Sequence, residues 1–539
     1  MISIVFETPT TVFSLYFINI FMSMQGKIFF GLLSVLLLGC KGTNDKENQE
    51  EQAMRRGYME QFRPQFHFSP KEKWMNDPNG LVYHEGVYHL FYQYYPEDIV
   101  WGPMHWGHAT STDLVHWEHK PIALYPDEHG LIFSGSAVVD INNTSGFAKK
   151  GETPLVAVFT YHSMEGEKAG RTDFQTQGIA YSLDNGATWT KYGGNPVIGN
   201  NGIKDFRDPK VFWDEGSQKW ILALVAGDHA KFYGSDNLKD WELLSEFGQE
   251  QGAHGGVWEC PDLFPLKVDG SDEAKWVLII SMNPGAPNGG SGTQYFVGSF
   301  DGKTFTSEQT EPKWLDFGTD NYAGVTYNNT PTGERIFIGW MSNWDYARNT
   351  PTQKWRSAMT VPRKLSLKKV DGAYFLANYP LSQVDGLATS TLMEGFAVGA
   401  EETESRRIEG LNQSLLQLKS GSKDFSITLK NDLGETLVMT MDPMNNQFIL
   451  DRRNSGQVDF QEAFGNKVHV APTEMLKGDT IDVKILVDHS SVEVFVNGGL
   501  LSMTDQIFPN APFDTLIVEN RDKQTQIEVS NVKKVESVW

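Results

Sequence analysis

Between residues 64 and 365 the chain alternates short apolar and β-branched runs with turns rich in Gly, Asn, Asp and Pro. Helical periodicity is hard to find in this stretch, and short runs bounded by such turns are typical of all-β proteins. Five of the runs are strongly apolar, and they start at Val87, Leu155, Lys219, Lys275 and Arg335. The pattern therefore predicts about five comparable strand-rich units.

Each apolar run belongs to a longer repeat. A shorter strand precedes it, as in GLVYH from Gly80, SGSAVV from Ser134 and DPKVFW from Asp208. After most runs comes a turn with Asp followed by an aromatic residue, as in STDLVHW from Ser111. A period of roughly 50–70 residues indicates a solenoid or a propeller, whose blades are four-stranded sheets around a central channel. We predict a five-bladed β-propeller over residues 63–365; a large sandwich with fortuitous similarity is the alternative.

The periodicity changes after about residue 370. Runs such as SLLQLKS, FSITLK and TLVMTM alternate apolar and polar residues at shorter, regular intervals. This alternation, with turns every eight to twelve residues or so, is typical of a β-sandwich. We therefore predict an all-β chain in which a linker at 366–380 joins the propeller to a β-sandwich at 381–539.

Bulk composition excludes some function classes. The chain has 539 residues, enough for several domains, of which 40% are hydrophobic and 12% aromatic. Its formal charge of -22 argues against a nucleic-acid partner, because phosphates need a basic surface. The charge suits a neutral substrate better than an anionic one.

The N-terminus has the pattern of a targeting segment. Lys27 is followed by IFFGLLSVLLLGC, an apolar run of signal-peptide length that ends at Cys40. Leu-Leu-Gly-Cys is similar to a bacterial lipobox, in which Cys40 becomes lipidated and anchors the protein to a membrane. We therefore predict a signal peptide over 1–40, with 1–23 a candidate misassigned extension, and a polar, disordered tether over 41–62. An ordinary signal-peptide cysteine is the alternative.

Three carboxylates occupy equivalent places in the repeat. Asp77 stands beside the first strand of the first unit, Asp208 beside that of the third and Glu259 beside that of the fourth. The first strand of a propeller blade lines the central channel. We therefore expect these three side chains, distant in sequence, to face one funnel.

Two kinds of chemistry suit such a cluster. Converging carboxylates can bind a hard cation such as calcium, but Arg207 beside Asp208 would repel it. Trp74 and Trp258 stand near Asp77 and Glu259, and an apolar surround favours the protonated form of a carboxyl group. Two carboxylates in an aromatic-rich funnel are the apparatus of glycoside hydrolysis, and we favour that interpretation.

The motifs together resemble glycoside hydrolase family 32, which includes invertases, inulinases, levanases and exo-fructanases. WMNDPNG, FRDP and WECPD occur in that order, with WGHATSTDLVHW, FSGSAV and GWMSNW between or after them. VDHSSVEVFVNGG from Val487 is similar to the end of the family's chains. The resemblance covers roughly residues 64–539 and implies a propeller followed by a sandwich.

The resemblance also implies residue roles in a retaining mechanism at C2 of a β-fructofuranosyl unit. Asp77 would be the nucleophile, Glu259 the acid and base, and Asp208 the transition-state stabiliser, which Arg207 keeps charged. A retaining pair stands about 5–5.5 Å apart. No metal or cofactor is implied. Residues at sugar-contact positions, for which propeller packing is the alternative, are Asn76, Gln93, Trp101, Phe133, Ser134, Arg207 and Trp340. We expect structural roles for Cys260, His105, His108 and His489.

Other functions share parts of this pattern. A non-catalytic glycan-binding lipoprotein would be expected to lose a carboxylate, a related arabinan enzyme would invert, and a fructosyltransferase would pass the sugar to another sugar. Inulin, levan and sucrose share the fructosyl unit, and loops at the rim of the funnel decide among them and between exo and endo action. The sequence favours polymeric substrates and an envelope location, at the outer surface or the periplasmic face.

Overall fold

A computed structural model describes residues 58–539, which form seven antiparallel-rich sheets. Five of the sheets are the blades of a propeller, and the other two form a sandwich. The predicted five-bladed propeller followed by a C-terminal sandwich is confirmed. The predicted leader and Cys40 lie outside the described residues.

The first four blades each run outward from an inner strand through consecutive hairpins. Blade 1 contains β1 (Lys73–His84), β2 (Val87–Tyr95), β3 (His105–Ser111) and β4 (Glu118–Leu124). Blade 2 contains β5 (Leu131–Val139), β6 (Leu155–His162), β7 (Gln175–Ser182) and β8 (Thr190–Lys191), with helix α1 (Met164–Lys168) between β6 and β7. Blade 3 contains β9 (Phe206–Asp214), β10 (Lys219–Ala226), β11 (Ala230–Ser235) and β12 (Glu242–Phe247). Blade 4 contains β13 (Val257–Lys267), β14 (Ala274–Asn283), β15 (Gly292–Phe300), β16 (Phe305–Thr306) and β17 (Lys313–Trp314).

Blade 5 completes the ring and corrects one predicted boundary. It contains β18 (Tyr322–Thr326), β19 (Ile336–Met341), β21 (Ala358–Met359), β22 (Arg363–Val370) and β23 (Ala373–Pro380), while β20 (Trp355–Arg356) pairs in parallel with β1. The prediction of a linker at 366–380 is wrong, because β22 and β23 are the outer strands of this blade. Leu365, Leu367 and Leu376 are buried against the neighbouring blade, which holds both strands in the sheet.

The second strand of each blade is the strongly apolar run of the sequence repeat. These strands, β2, β6, β10, β14 and β19, are almost wholly buried because both of their faces pack against neighbouring blades. Phe232 of blade 3, for example, lies in one cluster with Trp258 and Leu278 of blade 4. Burial on both faces explains why these runs are continuously apolar rather than alternating.

The C-terminal domain is a two-sheet sandwich. After helix α2 (Ser382–Gly386), one sheet contains β24 (Ala388–Met393), β25 (Phe396–Val398), β27 (Ser414–Ser420), β32 (Ile481–Asp488), β33 (Ser491–Val496), β34 (Leu501–Gln506), β36 (Ile527–Val529) and β37 (Val532–Val535). The other contains β26 (Thr403–Arg407), β28 (Phe425–Lys430), β29 (Thr436–Asp442), β30 (Gln447–Asn454), β31 (His469–Pro472) and β35 (Thr515–Asn520), with helix α3 (Glu462–Gly465) after β30. Alternate residues, such as Phe425, Ile427 and Leu429, face the shared core.

Buried ion pairs join the sandwich to the propeller. Arg363 of β22 donates to Glu493 of β33 at 2.8 Å and to Asp316 at 2.9 Å. His67 lies 2.7 Å from Asp488 and 3.0 Å from Glu493. The family-like motif VDHSSVEVFVNGG therefore supplies Asp488 and Glu493, the acidic residues that the sandwich contributes to these contacts.

The start of the described chain is packed rather than free. Tyr58 stacks on Trp539 with ring centroids 4.2 Å apart, and its hydroxyl group lies 2.7 Å from the His119 ring. Phe62 is also buried. The predicted disordered tether over 41–62 is therefore wrong for residues 58–62, whose aromatic side chains bury on the fold. Among residues 58–539, no helix combines the length and the apolar character needed to cross a lipid bilayer.

The His67 contacts predict a pH-dependent stability. Burial alone lowers the pKa of a histidine, but hydrogen bonds to Asp488 and Glu493 outweigh it and raise the pKa of His67 to about 9. A raised folded pKa stabilises the fold fully below the unfolded value near 6.5, and the gain is lost as the pH rises through the folded value. We expect the free energy of unfolding to fall by about 3 kcal/mol between pH 6.5 and 9.5 from this group.

Urea unfolding of the wild type and of His67→Gln at both pH values measures that fall. The variant should be less stable at pH 6.5 but should lose less stability on going to pH 9.5. His116→Gln is the matched control, because His116 pairs with Asp113 at 2.8 Å on the exposed surface. An equal pH dependence in the wild type and in His67→Gln would contradict the assignment.

Candidate active site

A cavity of about 250 Å³ opens at one end of the propeller axis. It is bounded by the N-terminal halves of the inner strands β1, β5, β9 and β13, by the ends of outer strands and by connections between strands. Asp77, Asp208 and Glu259 all line it. The structure thus brings together the three carboxylates that the sequence repeat selects.

Breaks in strand pairing occur at the same height in every inner strand. The register shifts between Asn79 and Val82 and just before Pro78 in β1, between Ile132 and Gly135 in β5, and between Glu259 and Asp262 in β13. Equivalent shifts occur in β9 and β18. Because a bulge bends its strand and redirects side chains, these irregularities in the five inner strands aim functional groups into the cavity.

Some of these bulges hold non-glycine residues in the left-handed region. Asp208 has φ 65°, Cys260 has φ 46° and Ala323 has φ 52°. A left-handed residue with a β-carbon costs roughly 1–2 kcal/mol, so the surrounding sheet stabilises a local conformation that the residues alone disfavour. Backbone strain of this kind clusters at functional sites.

Asp77 is held by two side-chain donors. Ser134 Oγ donates to Oδ2 at 2.6 Å and Asn76 Nδ2 donates to Oδ1 at 3.0 Å. Trp74 Nε1 in turn donates to Asn76 Oδ1 at 2.7 Å, which fixes the amide. Burial and the nearby Glu259 charge raise the pKa of Asp77, while the two hydrogen bonds oppose the rise.

Cys260 links Asp77 to Asp208. Its Sγ lies 3.6 Å from Oδ2 of each, and its backbone N–H donates to Asp208 Oδ2 at 3.1 Å. Burial, together with the charges of Asp208, Asp77 and Glu259, raises the pKa of the Cys260 thiol, so the sulfur stays protonated. The predicted small buried residue is therefore also a contact between two of the carboxylates.

Glu259 is surrounded by polar groups. Arg207 donates to Oε1 from Nη2 at 2.9 Å and from Nε at 3.2 Å, and the Tyr322 hydroxyl donates to Oε2. Trp258 points to the other face of the strand, where it packs on Phe296. The expected apolar surround of Glu259 is therefore wrong, because neighbouring residues of a strand face opposite sides.

Arg207 contacts Asp208 less closely than the sequence suggested. The guanidinium approaches Asp208 only to 3.9 Å, whereas it donates to Asp205 at 2.7 Å and to Glu259. Burial raises the pKa of Asp208, and the Glu259 and Asp77 charges add to the rise while Arg207 opposes it. Arg207 thus fixes Glu259 more directly than it keeps Asp208 charged.

The sugar-contact residues divide into those that reach the cavity and one that does not. Those that line it are Asn76, Gln93, Trp101, Phe133, Ser134 and Arg207. Trp340 is fully buried and packs behind Trp344, with ring centroids 4.9 Å apart. Trp344, four residues further along, forms the wall that the sequence assigned to Trp340.

The sequence reasoning also missed residues that complete the cavity. Tyr322 starts the inner strand of blade 5, at the place that Asp77, Asp208 and Glu259 hold in theirs, so the repeat itself contained the signal. His162 and Asn283 end the outer strands β6 and β14, Gln175 begins β7, and Glu167 stands on helix α1. The remaining lining residues lie in connections between strands, and they are Phe174, Asp205, Trp344 and Arg348. The sequence reasoning singled out none of these residues.

The two histidines near Trp106 make structural contacts. His108 lies 3.1 Å from the His89 ring and stacks on Phe91, with centroids 4.3 Å apart. Burial lowers the pKa of His108, which keeps its ring neutral. His105 Nδ1 lies 2.9 Å from the Pro103 carbonyl oxygen.

Comparison with curated proteins identifies relatives along nearly the whole described chain. A levanase of Bacillus subtilis is 45% identical over 493 residues, which are 89% of this chain and 72% of the levanase. An extracellular exo-inulinase of Aspergillus niger is 43% identical over 524 residues, 89% of this chain and 96% of the inulinase.

Solved structures agree with this similarity. The crystal structure of exo-inulinase from Aspergillus awamori superposes with a TM-score of 0.82 at 40% identity, covering 89% of this chain and all of that one (100%). A fructofuranosidase from Schwanniomyces occidentalis complexed with fructose superposes with a TM-score of 0.78 at 32% identity, covering 88% of this chain and 99% of that one.

Two family patterns divide the chain where its sheets divide. The Glycosyl hydrolases family 32 N-terminal domain matches residues 67–380, which are the five blades. The Glycosyl hydrolases family 32 C terminal matches residues 383–536, which are the sandwich. Since these matches cover more than half of the chain, and the inner strands carry the carboxylates on which the resemblance rests, the protein belongs to glycoside hydrolase family 32 and is a glycosidase.

Proposed function

We propose that the protein releases single fructose units from the ends of β-fructans, and from sucrose, with retention of configuration at C2. Its similarity to levanase, exo-inulinase and fructofuranosidase makes it a fructan or sucrose hydrolase. The observation that carries the finer proposal is the convergence of Asp77, Asp208 and Glu259 on one small cavity.

In the first step Asp77 attacks C2 of the fructosyl unit. Glu259 donates a proton to the departing oxygen, so the glycosidic bond breaks while an ester bond forms to Asp77. Ser134 and Asn76 hold the Asp77 carboxylate still, which keeps the attacking oxygen aimed. Arg207 and Tyr322 orient Glu259 in the same way.

In the second step water replaces the leaving sugar. Glu259 takes a proton from the water, whose oxygen attacks C2 and releases Asp77. Asp208 accepts hydrogen bonds from fructose hydroxyl groups and stabilises the positive charge that develops on the sugar. Two displacements at the same carbon retain its configuration.

The cavity favours exo action. Its volume of about 250 Å³ lies below the range of roughly 300–1,000 Å³ that is typical of drug-sized ligands. We infer that it holds one terminal sugar unit and excludes the interior of a chain. The alternatives of a non-catalytic binding protein, an arabinan-active enzyme or a transferase are not favoured by the relatives.

Product sizing tests the proposed function directly. Incubation with levan, inulin and sucrose, followed by chromatography of early samples, should give fructose from all three substrates and no intermediate oligosaccharides from the polymers. Oligosaccharides as first products would contradict exo action. No fructose from any of the three would overturn the proposal as a whole.

Variants of the carboxylates test the assigned roles. We expect Glu259→Gln to lower kcat by roughly 10²–10⁴-fold, because the departing oxygen loses its proton donor. Asp77→Asn should abolish turnover, since no covalent intermediate forms. The measurement is fructose release from sucrose, and NMR of the wild-type reaction should show β-fructofuranose as the first product.

Glu167→Gln is the matched control for these variants. Glu167 also lines the cavity, but it stands on helix α1 at the rim rather than on an inner strand. Its turnover should stay near that of the wild type. Unchanged turnover in Glu259→Gln would remove the acid and base assignment, and an inverted first product would remove the nucleophile assignment.

We also propose that the protein is exported and anchored through lipidated Cys40. The apolar run before Cys40 supports export, and the relatives from Aspergillus are described as extracellular. The envelope surface, where polymeric fructans are encountered, is the location that fits this anchor.

Radioactive palmitate labelling in a bacterial host tests the anchor. The wild type should carry the label and sediment with membranes, and Cys40→Ala should lose the label and become soluble or remain as unprocessed precursor. Labelling that persists in Cys40→Ala would contradict the proposal. Cys260→Ala is the control, since Cys260 is buried in the fold and should not take up lipid.

A further inference from the structure

A second cavity of about 500 Å³ lies at the opposite end of the propeller axis. Its walls come from the C-terminal ends of inner strands β5, β9 and β13, whereas the catalytic cavity lies at their N-terminal ends. At about 3.3 Å per residue, the five residues from Asp208 to Trp213 span roughly 15 Å. We call this second space the far cavity, and its main lining residues are Asn142, Trp213, Asp214, Glu215, Trp276 and Arg335.

A polar layer closes the channel between the two cavities. Lys210 forms a buried ion pair with Asp262 at 3.2 Å, and Asp262 accepts from the Thr326 hydroxyl at 2.7 Å. Asn328 donates to backbone carbonyls of Ala137 and Val211, which belong to two different blades. The far cavity is therefore a separate site and not a continuation of the catalytic one.

The walls of the far cavity combine aromatic faces with unused hydrogen-bonding groups. Trp213 and Trp276 are partly exposed, and neither indole N–H donates a hydrogen bond to any residue in 58–539. The Arg335 guanidinium likewise has no hydrogen-bond or ion-pair partner in that range, and it lies over the Phe264 ring at 5.4 Å. Polar groups beside apolar walls, left without protein partners, are typical of ligand sites.

The charges favour a neutral occupant. Asp214 keeps one carboxylate oxygen for a ligand, because its two Ser217 hydrogen bonds both reach Oδ2. Asp214 and Glu215 repel an anion, and Arg335 repels a cation. A sugar chain has apolar ring faces for the two tryptophans and hydroxyl groups that accept from indole and guanidinium and donate to carboxylate.

We propose that the far cavity is an accessory binding site for a neutral fructan chain. The identity of the sugar rests on the proposed function, since the polymer that the catalytic cavity trims is the hydroxyl-rich chain this protein meets. Binding at a second site raises the effective concentration of polymer ends near the enzyme without changing the chemistry at the first site. Sucrose is too short to bind both sites at once, so the second site does not change its hydrolysis.

Native electrophoresis in gels containing levan or inulin tests the binding. The protein used is the full chain carrying Glu259→Gln, so that the polymer is not consumed, and dextran gels serve as the unrelated glycan. We expect at least one fructan to retard the protein, and Trp213→Ala or Trp276→Ala in that background to weaken the binding about tenfold. Tyr125→Ala is the matched control, because Tyr125 is an exposed aromatic residue, 55% accessible, outside both cavities.

Kinetics of the active enzyme separate this proposal from the proposed function. Trp213→Ala should raise KM for the retarding fructan several-fold and leave kcat/KM for sucrose unchanged, which also shows that the fold is intact. If sucrose turnover falls in Trp213→Ala, the variants Arg335→Gln and Asn142→Ala are used in its place in both assays. Retardation as strong in these variants as in the Tyr125→Ala control, equal retardation by dextran, or no retardation by either fructan would overturn the accessory site. Absent fructose release by the active enzyme would overturn the proposed function instead.

Discussion

Five inner strands packed around one axis are the constraint on which this molecule depends. The N-terminal halves of all five strands lie at the same end of the channel. Residues at equivalent positions of the repeat therefore lie close together there. The outer strands supply the apolar packing that holds the ring closed, and β20 pairs with β1. The ends of some outer strands also reach the cavity, as at Gln93 and Asn283. The bulges shared by all five inner strands then turn the side chains inward at one height.

That convergence concentrates negative charge in one small cavity. Burial raises the pKa of Asp77 and of Asp208, and the charges of neighbouring carboxylates add to the rise. Arg207 and Tyr322 offset it at Glu259, and backbone and hydroxyl donors offset it at the two aspartates. The same physics governs the joint between the domains, where each buried carboxylate has a guanidinium or imidazole partner. Removing one partner from such a network leaves an uncompensated buried charge, which is far more destabilising than losing an exposed pair.

The two ends of the propeller axis differ because the inner strands carry different side chains in their N-terminal and C-terminal parts. Their N-terminal halves carry carboxylates and amides around a narrow opening. At their C-terminal ends, Trp213 of β9 and Trp276 of the adjacent strand β14 line a wider one. Lys210, Asp262 and Asn328 fill the channel between them with satisfied polar contacts. The propeller channel therefore ends in a small polar cavity that contains the three carboxylates and, on the opposite side, in a broader aromatic cavity.

The sequence by itself determined the features that repeat. The repeat of apolar runs predicted the blades, and the alternation of apolar and polar residues predicted the sandwich. Equivalent positions within the repeat identified the three carboxylates. The predictions that failed concern contacts between residues distant in the chain. Residues 366–380 are blade strands and not a linker, residues 58–62 are packed and not disordered, and Arg207 donates to Glu259 more closely than it approaches Asp208. Only the tertiary structure placed Trp344 and the other cavity residues that lie outside the inner strands. Connections differ from blade to blade, and these side chains come near the axis only once the ring has closed.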